Sequence, residues 1–451
     1  MLNLPFAADL RKHTGSRPRV RPDECARYSV GGCTPKLVFS PHNAREAARI
    51  VSALRQEGAA VIIRGAGTAQ WRPPPPVSID AVLDMTRCDG IVEYAPADLT
   101  VTVGAGTKFS DLQSALRAQG QFFPCDPSHA AEGTIGGILS GRRDGALRQR
   151  FGALRDNVLG MHVSLSDGST AFSGARVVKS VAGYDIPKLF VGARGTLGAI
   201  ADVTLKVAPL PQAEAGLVAT FERLEPACQA ALDVASSPLF PSATTLHDAR
   251  SAHRVRSLGG GLHDGHAWML VLRLGGTRGA IARQADGITR ICKAASAAAA
   301  SGVRIEMVAQ AQVQHAWADI AELACGAAYS PATVAGMKVI SQPSHVAAVM
   351  ARALSLGPDT ECTAHPAVGL TFVHVRADAH VSTAAPSGLR AFANACEAHG
   401  WSVEFLFAPP QIGEHLLPAL PLRAPIALMR KLKAAFDPSG TFDPGRFLGG
   451  I

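Results

Sequence analysis

The chain has few aromatic residues, no closely spaced cysteines and no long apolar run. Aromatic residues make up 6% of the 451 residues, and the nine cysteines include no CxxC pair. A disulfide framework or an iron–sulfur cluster held by this chain would need grouped thiols, so a reducing cytoplasm fits best. No run of roughly 18 apolar residues occurs, and Pro5 and Asp9 interrupt the apolar start. We therefore expect no signal peptide and no membrane span.

The net charge is positive, at +8, with a pI of about 9.1. The basic residues are mostly dispersed and no nucleic-acid motif occurs, so we expect no nucleic-acid partner. An anionic cofactor, an anionic substrate or an acidic partner subunit explains the charge equally well. The hydrophobic fraction of 47% supports large cores, and the length corresponds to roughly three domains of ordinary size.

The apolar pattern predicts a mixture of helices and strands in two parts. The first part has predicted helices at 43–56 and 110–119, and predicted strands at 60–63, 82–83, 100–103, 160–165 and 200–207. The second follows the break Pro209-Leu210-Pro211, with predicted strands at 267–274 and 369–375 and helices at 278–300, 386–399 and 426–435. Two tight turns follow at 436–446. The pattern indicates an α+β protein.

A glycine-rich turn, Arg64-Gly65-Ala66-Gly67-Thr68, directly follows a predicted strand. The dinucleotide fingerprint GxGxxG would need a third glycine where Gln70 stands, and the prolines at 73–76 prevent the helix that this fingerprint opens. Successive amides of such a turn form an anion nest, with Arg64 and the Thr68 hydroxyl beside it. A strand-end turn without a ligand remains the alternative.

Two more glycine-rich turns follow along the chain, each next to a strand-like segment. Gly133-Thr134-Ile135-Gly136-Gly137 comes after Pro124-Cys125-Asp126-Pro127-Ser128-His129, and Gly195-Thr196-Leu197-Gly198 precedes another strand. Paired glycines let the backbone approach a flat ring or a diphosphate, because no Cβ intervenes. The alternative for the turn at 133–137 is a glycine-rich segment that crosses the core and binds no ligand. Together the turns suit a long cofactor that contains phosphate.

These motifs resemble the FAD-linked oxidases related to vanillyl-alcohol oxidase and p-cresol methylhydroxylase (PCMH). The resemblance rests on VVKSVAGYDIPKLFVGARGTLGAI (177–200), PCDPSH (124–129), RDNVLG (155–160) and FDPSGTFDPGRF (436–447). Within this family they are most similar to the FAD-binding E subunits of bacterial glycolate oxidases. The resemblance implies an N-terminal tail (1–25), a PCMH-type FAD-binding domain (26–212) and a smaller α+β cap (213–451) whose C-terminal segment returns to the FAD domain.

The resemblance also implies which residues bind FAD. They are Ile63, Arg64, Gly65, Ala66, Gly67, Thr68 and Ala69 at the first diphosphate loop; Asp126, Pro127, Ser128, Glu132, Thr134, Gly136, Gly137 and Ser140 along the diphosphate and the flavin ring; and Gly195, Thr196, Gly198 and Ile200 beside the adenosine. Thr68 stands where covalently flavinylated relatives carry histidine, so the flavin is expected to bind without a covalent link. The chain departs from the family's terminal NPGR, since Asp443 replaces the asparagine.

The function implied by the resemblance is oxidation of a small 2-hydroxy acid, glycolate or D-lactate. The chain would act as one subunit beside a second flavoprotein subunit and an iron–sulfur subunit that takes the electrons. Such a protein is cytoplasmic and reaches the inner membrane, if at all, through its partners. The alternatives are a self-contained D-2-hydroxy-acid dehydrogenase and a non-catalytic subunit that carries FAD to complete an assembly.

No catalytic residue can be assigned from the sequence, because each candidate has an ordinary alternative. One of Arg142 and Arg143 would face the flavin or substrate, or both belong to a solvated loop. His365 and His374, around a predicted strand, are either a base or structural histidines. Cys125, between prolines, is expected to pack. The groups His247-Asp248-His253 and His263-Asp264-His266 lack the geometry of a specific metal site, and no metal is expected.

Overall fold

The computed structural model describes residues 19, 21–70, 72–177, 183–258, 267–324, 333–376, 385–408 and 426–451. Cys325, His263, Asp264, His266 and part of the 177–200 motif lie outside these residues. We call residues 26–212 the first region and residues 213–451 the second region.

The first region contains short helices and three sheets. Its described strands are β1 (Leu37–Phe39), β2 (Val61–Arg64), β3 (Ala81–Asp84), β4 (Ile91–Ala95), β5 (Thr100–Gly104), β6 (Gln121–Phe122), β7 (Val158–Ser164), β8 (Thr170–Gly174), β9 (Ala199–Lys206) and β10 (Ala208–Pro209). The described helices up to residue 212 are α1 (Pro22–Ala26), α2 (Ala44–Gln56), α3 (Phe109–Arg117), α4 (Ile135–Ser140), α5 (Arg148–Phe151) and α6 (Pro187–Phe190).

Local sequence explains why α2 lies where the periodicity predicts it. The Asn43 side chain caps the helix by accepting from the Glu46 amide over 2.9 Å. Ile50, Val51 and Leu54 share its buried face. That face packs against the parallel sheet β1-β3-β2, which contributes buried residues to a core on each side, as is usual for parallel strands. The helix thus completes one side of a small α/β layer.

A second, antiparallel sheet of the first region has the strand order β4-β5-β9-β7-β8, and β6 and β10 pair separately. Its core contains Val103, Leu112, Ile138, Phe190 and Val203. Helices α3 and α4 pack in this core through Leu112 and Ile138. This packing places helix α4 opposite the loop that follows β2 of the parallel sheet.

The second region is built on one large antiparallel sheet. Its described strands are β11 (Ala213–Phe221), β12 (Ala243–His247), β13 (Trp268–Gly276), β14 (Val303–Val308), β15 (Thr333–Ile340), β16 (Thr360–His365), β17 (Leu370–Arg376) and β18 (Ser402–Phe407). Its described helices are α7 (Leu224–Ser236), α8 (Ala249–His253), α9 (Arg278–Ala298), α10 (Gln310–Leu323), α11 (Val346–Leu354), α12 (Ala385–Ala398) and α13 (Ile426–Phe436). The strand order is β14-β11-β13-β12-β16-β17-β15-β18.

The two faces of this eight-stranded sheet have different partners. One face packs against α7, α9, α11 and α12 in a core that includes Leu270, Cys362 and Met337. The opposite face contacts α10 and the first region, where Leu147 packs with Met269 and Val271. We call this second face the inner face. Charged side chains on it are therefore brought next to the loops of the first region.

The C-terminal segment lies against the first region. The amide of Val61 donates to Thr441 O over 2.8 Å, and the amide of Asp443 donates to Val61 O over 2.9 Å. Phe442 is fully buried in the core beneath the parallel sheet. The Lys433 amine fixes the preceding helix by donating to Thr196 O and Phe442 O, each over 2.8 Å.

Candidate functional site

A cleft opens where the loop after β2 faces α4, the turn before β9 and the C-terminal segment. We call it the main cleft. Its walls carry backbone from several glycines and side chains from five arginines. The lining residues are Ile63, Arg64, Gly65, Ala66, Gly67, Thr68, Ala69, Gln70, Arg72, Met85, Ala105, Thr134, Gly136, Gly137, Ser140, Gly141, Arg143, Arg194, Gly195, Gly198, Ile200, Asp443 and Arg446.

The sequence-predicted residues divide into those that line the main cleft and those that do not. The residues from 63 to 69 line it, as do Thr134, Gly136, Gly137, Ser140, Gly195, Gly198 and Ile200. The structure places outside it Asp126, Pro127, Ser128, Glu132 and Thr196. Glu132 is exposed beside Lys108 and Asp111 in a separate cavity, and the Thr196 hydroxyl donates to Ala193 O over 2.7 Å.

Asp126 is turned away from the main cleft. Its carboxylate accepts from the Leu147 amide over 3.2 Å and from Trp317 Nε1 over 3.3 Å. Burial raises the pKa of Asp126 to about 6, although the Leu147 amide and the charge of Arg273 oppose the rise. Its loop, 124–129, thus joins the first region to α10 of the second region.

The loop after β2 presents free backbone donors to the main cleft. Within the described part of the chain, the amides of Ala66, Gly67, Thr68 and Ala69 donate to no acceptor. Gly67 has a φ of +79°, which turns the backbone at the centre of this series. Consecutive amides in such a turn form a concave site for an anion. This loop can therefore hold a phosphate group.

The glycines of α4 have different tasks. A Cβ on Gly136 would lie 2.8 Å from Ala105 Cβ, so Gly136 allows α4 to approach the end of β5. A Cβ on Gly137 would meet within 4 Å just the Thr134 hydroxyl, at 3.1 Å, and would otherwise enter the main cleft. Gly137 is therefore the position where the missing side chain leaves room for a ligand.

Of the two adjacent arginines, Arg143 lines the main cleft. Its Nη2 donates to the Thr68 hydroxyl over 2.6 Å and its Nη1 donates to Ser128 O over 3.2 Å. Arg143 is 7% exposed. Arg142 instead faces Asp144 at 3.4 Å and its side chain is 41% exposed. Arg143 therefore ties the loop after β2 to the loop at 124–129.

A charged cluster joins two inner-face residues to two arginines of the first region, Arg72 and Arg194, which line the main cleft. Glu404 of β18 accepts from Arg194 Nη2 over 2.5 Å and from Arg72 Nη1 over 3.2 Å, and it pairs with Lys338 of β15. Burial alone would raise the pKa of Glu404, but the charges of Lys338, Arg194 and Arg72 hold it well below its usual range. We call these four residues the cationic cluster. It contains three cations and one carboxylate.

Sequence reasoning did not identify the cationic cluster, although a signal existed. Lys338 interrupts the apolar run Val334 to Ile340, and Glu404 interrupts the run Val403 to Phe407. A lone charge within a buried strand needs a partner. Register pairs Lys338 with Glu404 across β15 and β18. The sequence alone does not show that these two strands are neighbours.

Asp443 and Arg446 also line the main cleft and were missed as site residues. Arg446 Nη1 pairs with Asp443 at 3.1 Å, and its Nη2 donates to Gln70 O over 2.7 Å. Burial raises the pKa of Asp443, although Arg446 opposes the rise. The turn that resembles NPGR therefore adds both a carboxylate and a cation to the cleft.

The candidate histidine bases lie elsewhere. Among the described residues that line the main cleft, there is no histidine. His365 and His374 are buried in the large sheet, and burial lowers the pKa of each to about 4. The ring of His247 is held by hydroxyls, at 2.9 Å from Thr245 and 3.2 Å from Thr363. Cys125 is a buried thiol whose pKa is raised well above its usual value, first by burial.

Comparison with known families supports an assignment for both regions of the chain. Residues 35–172 match the FAD binding domain family. Residues 210–365 and 423–447 match the C-terminal domain of FAD linked oxidases. The chain belongs to the FAD-linked oxidases. FAD is its cofactor, and the fold is a PCMH-type FAD-binding domain followed by the family's C-terminal domain.

Similar proteins include both subunit types of glycolate oxidase. Glycolate oxidase subunit GlcD of Bacillus subtilis is 26% identical, over 91% of this chain and 88% of that protein. Subunit GlcE of Escherichia coli is 38% identical, over 30% of this chain and 39% of that protein. Mitochondrial D-lactate dehydrogenase [cytochrome] 1 of Saccharomyces cerevisiae is 30% identical, over 48% and 37%. The first match spans both regions, so a likeness to E subunits alone does not describe the chain.

Solved structures agree on the fold. Substrate-bound p-cresol methylhydroxylase superposes with a TM-score of 0.75 at 13% sequence identity, covering 99% of this chain and 97% of that chain. Such low identity compares architecture alone. Within the described residues, no helix is long and apolar enough to cross a membrane.

The main cleft fits FAD by its own chemistry. The unbonded amides from Ala66 to Ala69 suit the diphosphate, and the space beside Gly137 suits a flat ring. Gln70 offers a further group: its Nε2 donates to Ile63 O over 3.3 Å, whereas its buried Oε1 has no donor in the described chain. A buried acceptor without a partner is costly, and an N–H of a bound ring would satisfy it.

Proposed function

We propose that the chain binds FAD in the main cleft and oxidises a 2-hydroxy acid there. The proposal follows the names of its relatives, which are glycolate oxidase subunits and D-lactate dehydrogenases. The observation that carries it is the cationic cluster. Arg72 and Arg194 line the main cleft, with Lys338 beside them on Glu404, and their guanidinium groups can donate to a substrate carboxylate.

The cluster holds its charge in a fixed arrangement. Arg72 is 7% exposed and also donates to Gly141 O over 3.1 Å, so its guanidinium cannot swing freely. Burial lowers the pKa of Lys338, and Glu404 opposes the change. Glu404 therefore favours the charged form of the Lys338 amine. Preorganised cations of this kind need little rearrangement when an anion binds.

The reaction takes two electrons and two protons from the 2-hydroxy acid and gives a 2-oxo acid. When bound, FAD would accept the two electrons and, in the overall balance, the two protons. The chain's own residues bind the carboxylate through Lys338, Arg72 and Arg194 and so orient the carbon that carries the hydroxyl. Arg64 and Arg143 add positive charge along the cleft, which favours an anionic cofactor and substrate.

For the fate of the electrons, we propose transfer to a partner iron–sulfur subunit within a complex that also contains a second flavoprotein subunit. The support is the partners implied by the subunit names of the relatives and the scattered cysteines of this chain. We also propose that the two domains span residues 26–212 and 213–451. A self-contained dehydrogenase would differ from such a subunit, because it would sustain turnover without the partner subunits.

A substitution of Lys338 tests the proposed function. In FAD-loaded protein, Lys338→Met should raise the KM for D-lactate or glycolate roughly 10- to 100-fold, because a charge-assisted hydrogen bond is lost. Flavin content should stay unchanged, since the cluster borders the cleft at the side of the second region. Lys293→Met, an exposed residue of α9, is the control. The test measures loss of flavin absorbance on anaerobic mixing. Wild-type KM in the Lys338 variant would contradict the carboxylate role.

A further inference from the structure

A second cavity adjoins the main cleft, and we call it the apolar chamber. It has a volume of about 430 Å³ and lies between residues 188–197, the edge strand β18 with α12, and α13 with the C-terminal residues. Its walls include Leu189, Leu197, Trp401, Val403, Leu432 and Leu448. A volume of this size is within the range of small-molecule sites, and a single water needs far less.

Two residues line both cavities. Arg194 and Gly141 belong to the wall of the main cleft and to the wall of the apolar chamber. The Arg194 guanidinium faces Glu404 at 2.5 Å and lies 5.6 Å from the Phe447 ring centroid. One side of this cation is therefore polar and the other is aromatic. The charged group stands at the border between the two cavities.

The other charged groups near the apolar chamber have partners of their own. Lys188 pairs with Asp185 at 2.5 Å, Arg142 with Asp144 at 3.4 Å, and the Lys433 amine with Asp437 at 2.6 Å. Glu397 of α12 also lines the chamber and has an interaction of its own. Most of the remaining wall is formed by aliphatic and aromatic side chains, with Thr196 and Ser402 as its polar members. Such walls favour an apolar group over a hydrated one.

We propose that the apolar chamber binds the side chain of a medium-chain 2-hydroxy acid whose carboxylate lies at Arg194 and the rest of the cationic cluster. The proposal rests on the proposed function and specifies its substrate class. A glycolate or lactate molecule would reach the cations and leave the chamber unfilled. An amphiphilic acid of about eight carbons satisfies both parts, because its charge and its apolar tail match the two sides of Arg194.

The chain length of the substrate should therefore control the rate. Each methylene buried in the apolar chamber should raise kcat/KM by up to about fourfold, corresponding to about 0.8 kcal/mol per CH₂. D-2-hydroxyoctanoate, with five methylenes more than D-lactate, should exceed D-lactate by at least about 100-fold. FAD-loaded protein is mixed anaerobically with glycolate, D-lactate, D-2-hydroxyhexanoate and D-2-hydroxyoctanoate, and flavin bleaching gives the rates.

A matched pair of variants on α13 locates the effect. Leu432 lines the apolar chamber, whereas Leu428, one turn earlier, is 55% exposed and does not line it. Leu432→Trp should reduce the ratio of kcat/KM between D-2-hydroxyoctanoate and D-lactate by at least tenfold, because the ring fills the chamber. Leu428→Trp should leave the ratio unchanged. A flat chain-length series, or equal ratios in the two variants, would overturn the proposal.

Binding without turnover separates this inference from the proposed function. Octanoate has no hydroxyl to oxidise, and calorimetry should show that it binds to wild-type and Leu428→Trp protein at least tenfold more tightly than to Leu432→Trp. If octanoate binds in this way while no 2-hydroxy acid bleaches the flavin, apolar binding in the chamber is supported and the proposed oxidation is rejected. If glycolate and D-lactate bleach the flavin but octanoate does not bind, the oxidation stands and the chamber is rejected.

Discussion

Arg143 donates from its Nη2 to the hydroxyl of Thr68 over 2.6 Å. The resemblance implies a histidine at this position in covalently flavinylated relatives, and here the position holds a short polar side chain engaged by an arginine. The loop after β2 therefore has no imidazole to form a bond with the flavin. We therefore expect the main cleft to hold its cofactor by shape, by backbone amides and by charge.

Acid treatment tests this mode of attachment. Precipitation of the purified yellow protein should release intact FAD into the supernatant, because Thr68 cannot take the place of the histidine. Chromatography of the supernatant against authentic FAD and measurement of residual colour in the pellet check the result. Flavin retained in the washed pellet would show a covalent link at another residue.

Two neighbouring glycines should respond differently to the same substitution. Gly137→Val should lower bound FAD to about a tenth or less while the apoprotein still melts cooperatively, because the side chain enters the main cleft. Gly136→Val should destabilise the fold by roughly 1–3 kcal/mol, since its Cβ would overlap Ala105. Flavin content and thermal melting separate the two effects.

A glycine remote from the cleft is the control for this pair. Gly388 of α12 is exposed, and a Cβ at this position would have no neighbouring atom within 4 Å. Gly388→Val should retain wild-type flavin. Normal flavin content in Gly137→Val would remove that residue from the cofactor site.

The stability of the protein should depend on the ionisation of Asp126. Its pKa is about 6 in the folded chain and roughly 3.9 in an unfolded one. The folded state therefore binds more protons between these values, so stability falls as pH rises from about 4 to 6, by about 3 kcal/mol at most. Asp126→Asn lacks this loss. Its melting temperature relative to the wild type should rise between pH 4 and pH 7, and a constant difference would contradict the assignment.

Asp443 should weaken cofactor binding through its charge. Asp443→Asn keeps the shape of the side chain and removes a buried negative charge from a cleft that binds a diphosphate. The FAD Kd should fall roughly 3- to 30-fold, in keeping with the interaction of charges at an effective dielectric of about 20. Asp359→Asn, at a surface pair with Arg250, should not change it. Titration of apoprotein with FAD provides the measurement, and weaker binding would point to a structural need for the Asp443–Arg446 pair.

The sequence predicted local features well because their causes are local. The Asn43 cap and the spacing of Ile50, Val51 and Leu54 determine α2 without help from the rest of the chain. The glycine turns are recognisable for the same reason, since Gly67 and Gly195 adopt positive φ values that favour glycine. Which ligand the turns bind depends on which turns are neighbours in the folded chain. Only the resemblance to a known family indicated that arrangement.

The cationic cluster could not be predicted, because its members meet only through the tertiary fold. Arg72 and Glu404 are 332 residues apart in sequence and touch because an edge strand of the second region reaches a loop of the first. Asp126 shows how the tertiary fold also directs a side chain that a motif singles out. Its motif placed it near the cofactor, but the Leu147 amide and the Trp317 indole turn the carboxylate toward α10. Proximity along a loop does not determine which way a side chain points.

The strand-like contact between Val61 and the segment at Thr441 and Asp443 has a consequence for biosynthesis. Phe442 is fully buried beneath a sheet whose other residues are made early in translation. That layer cannot complete its core until the segment at Phe442 has been synthesised. Until then the nascent chain exposes apolar surface that a chaperone can protect.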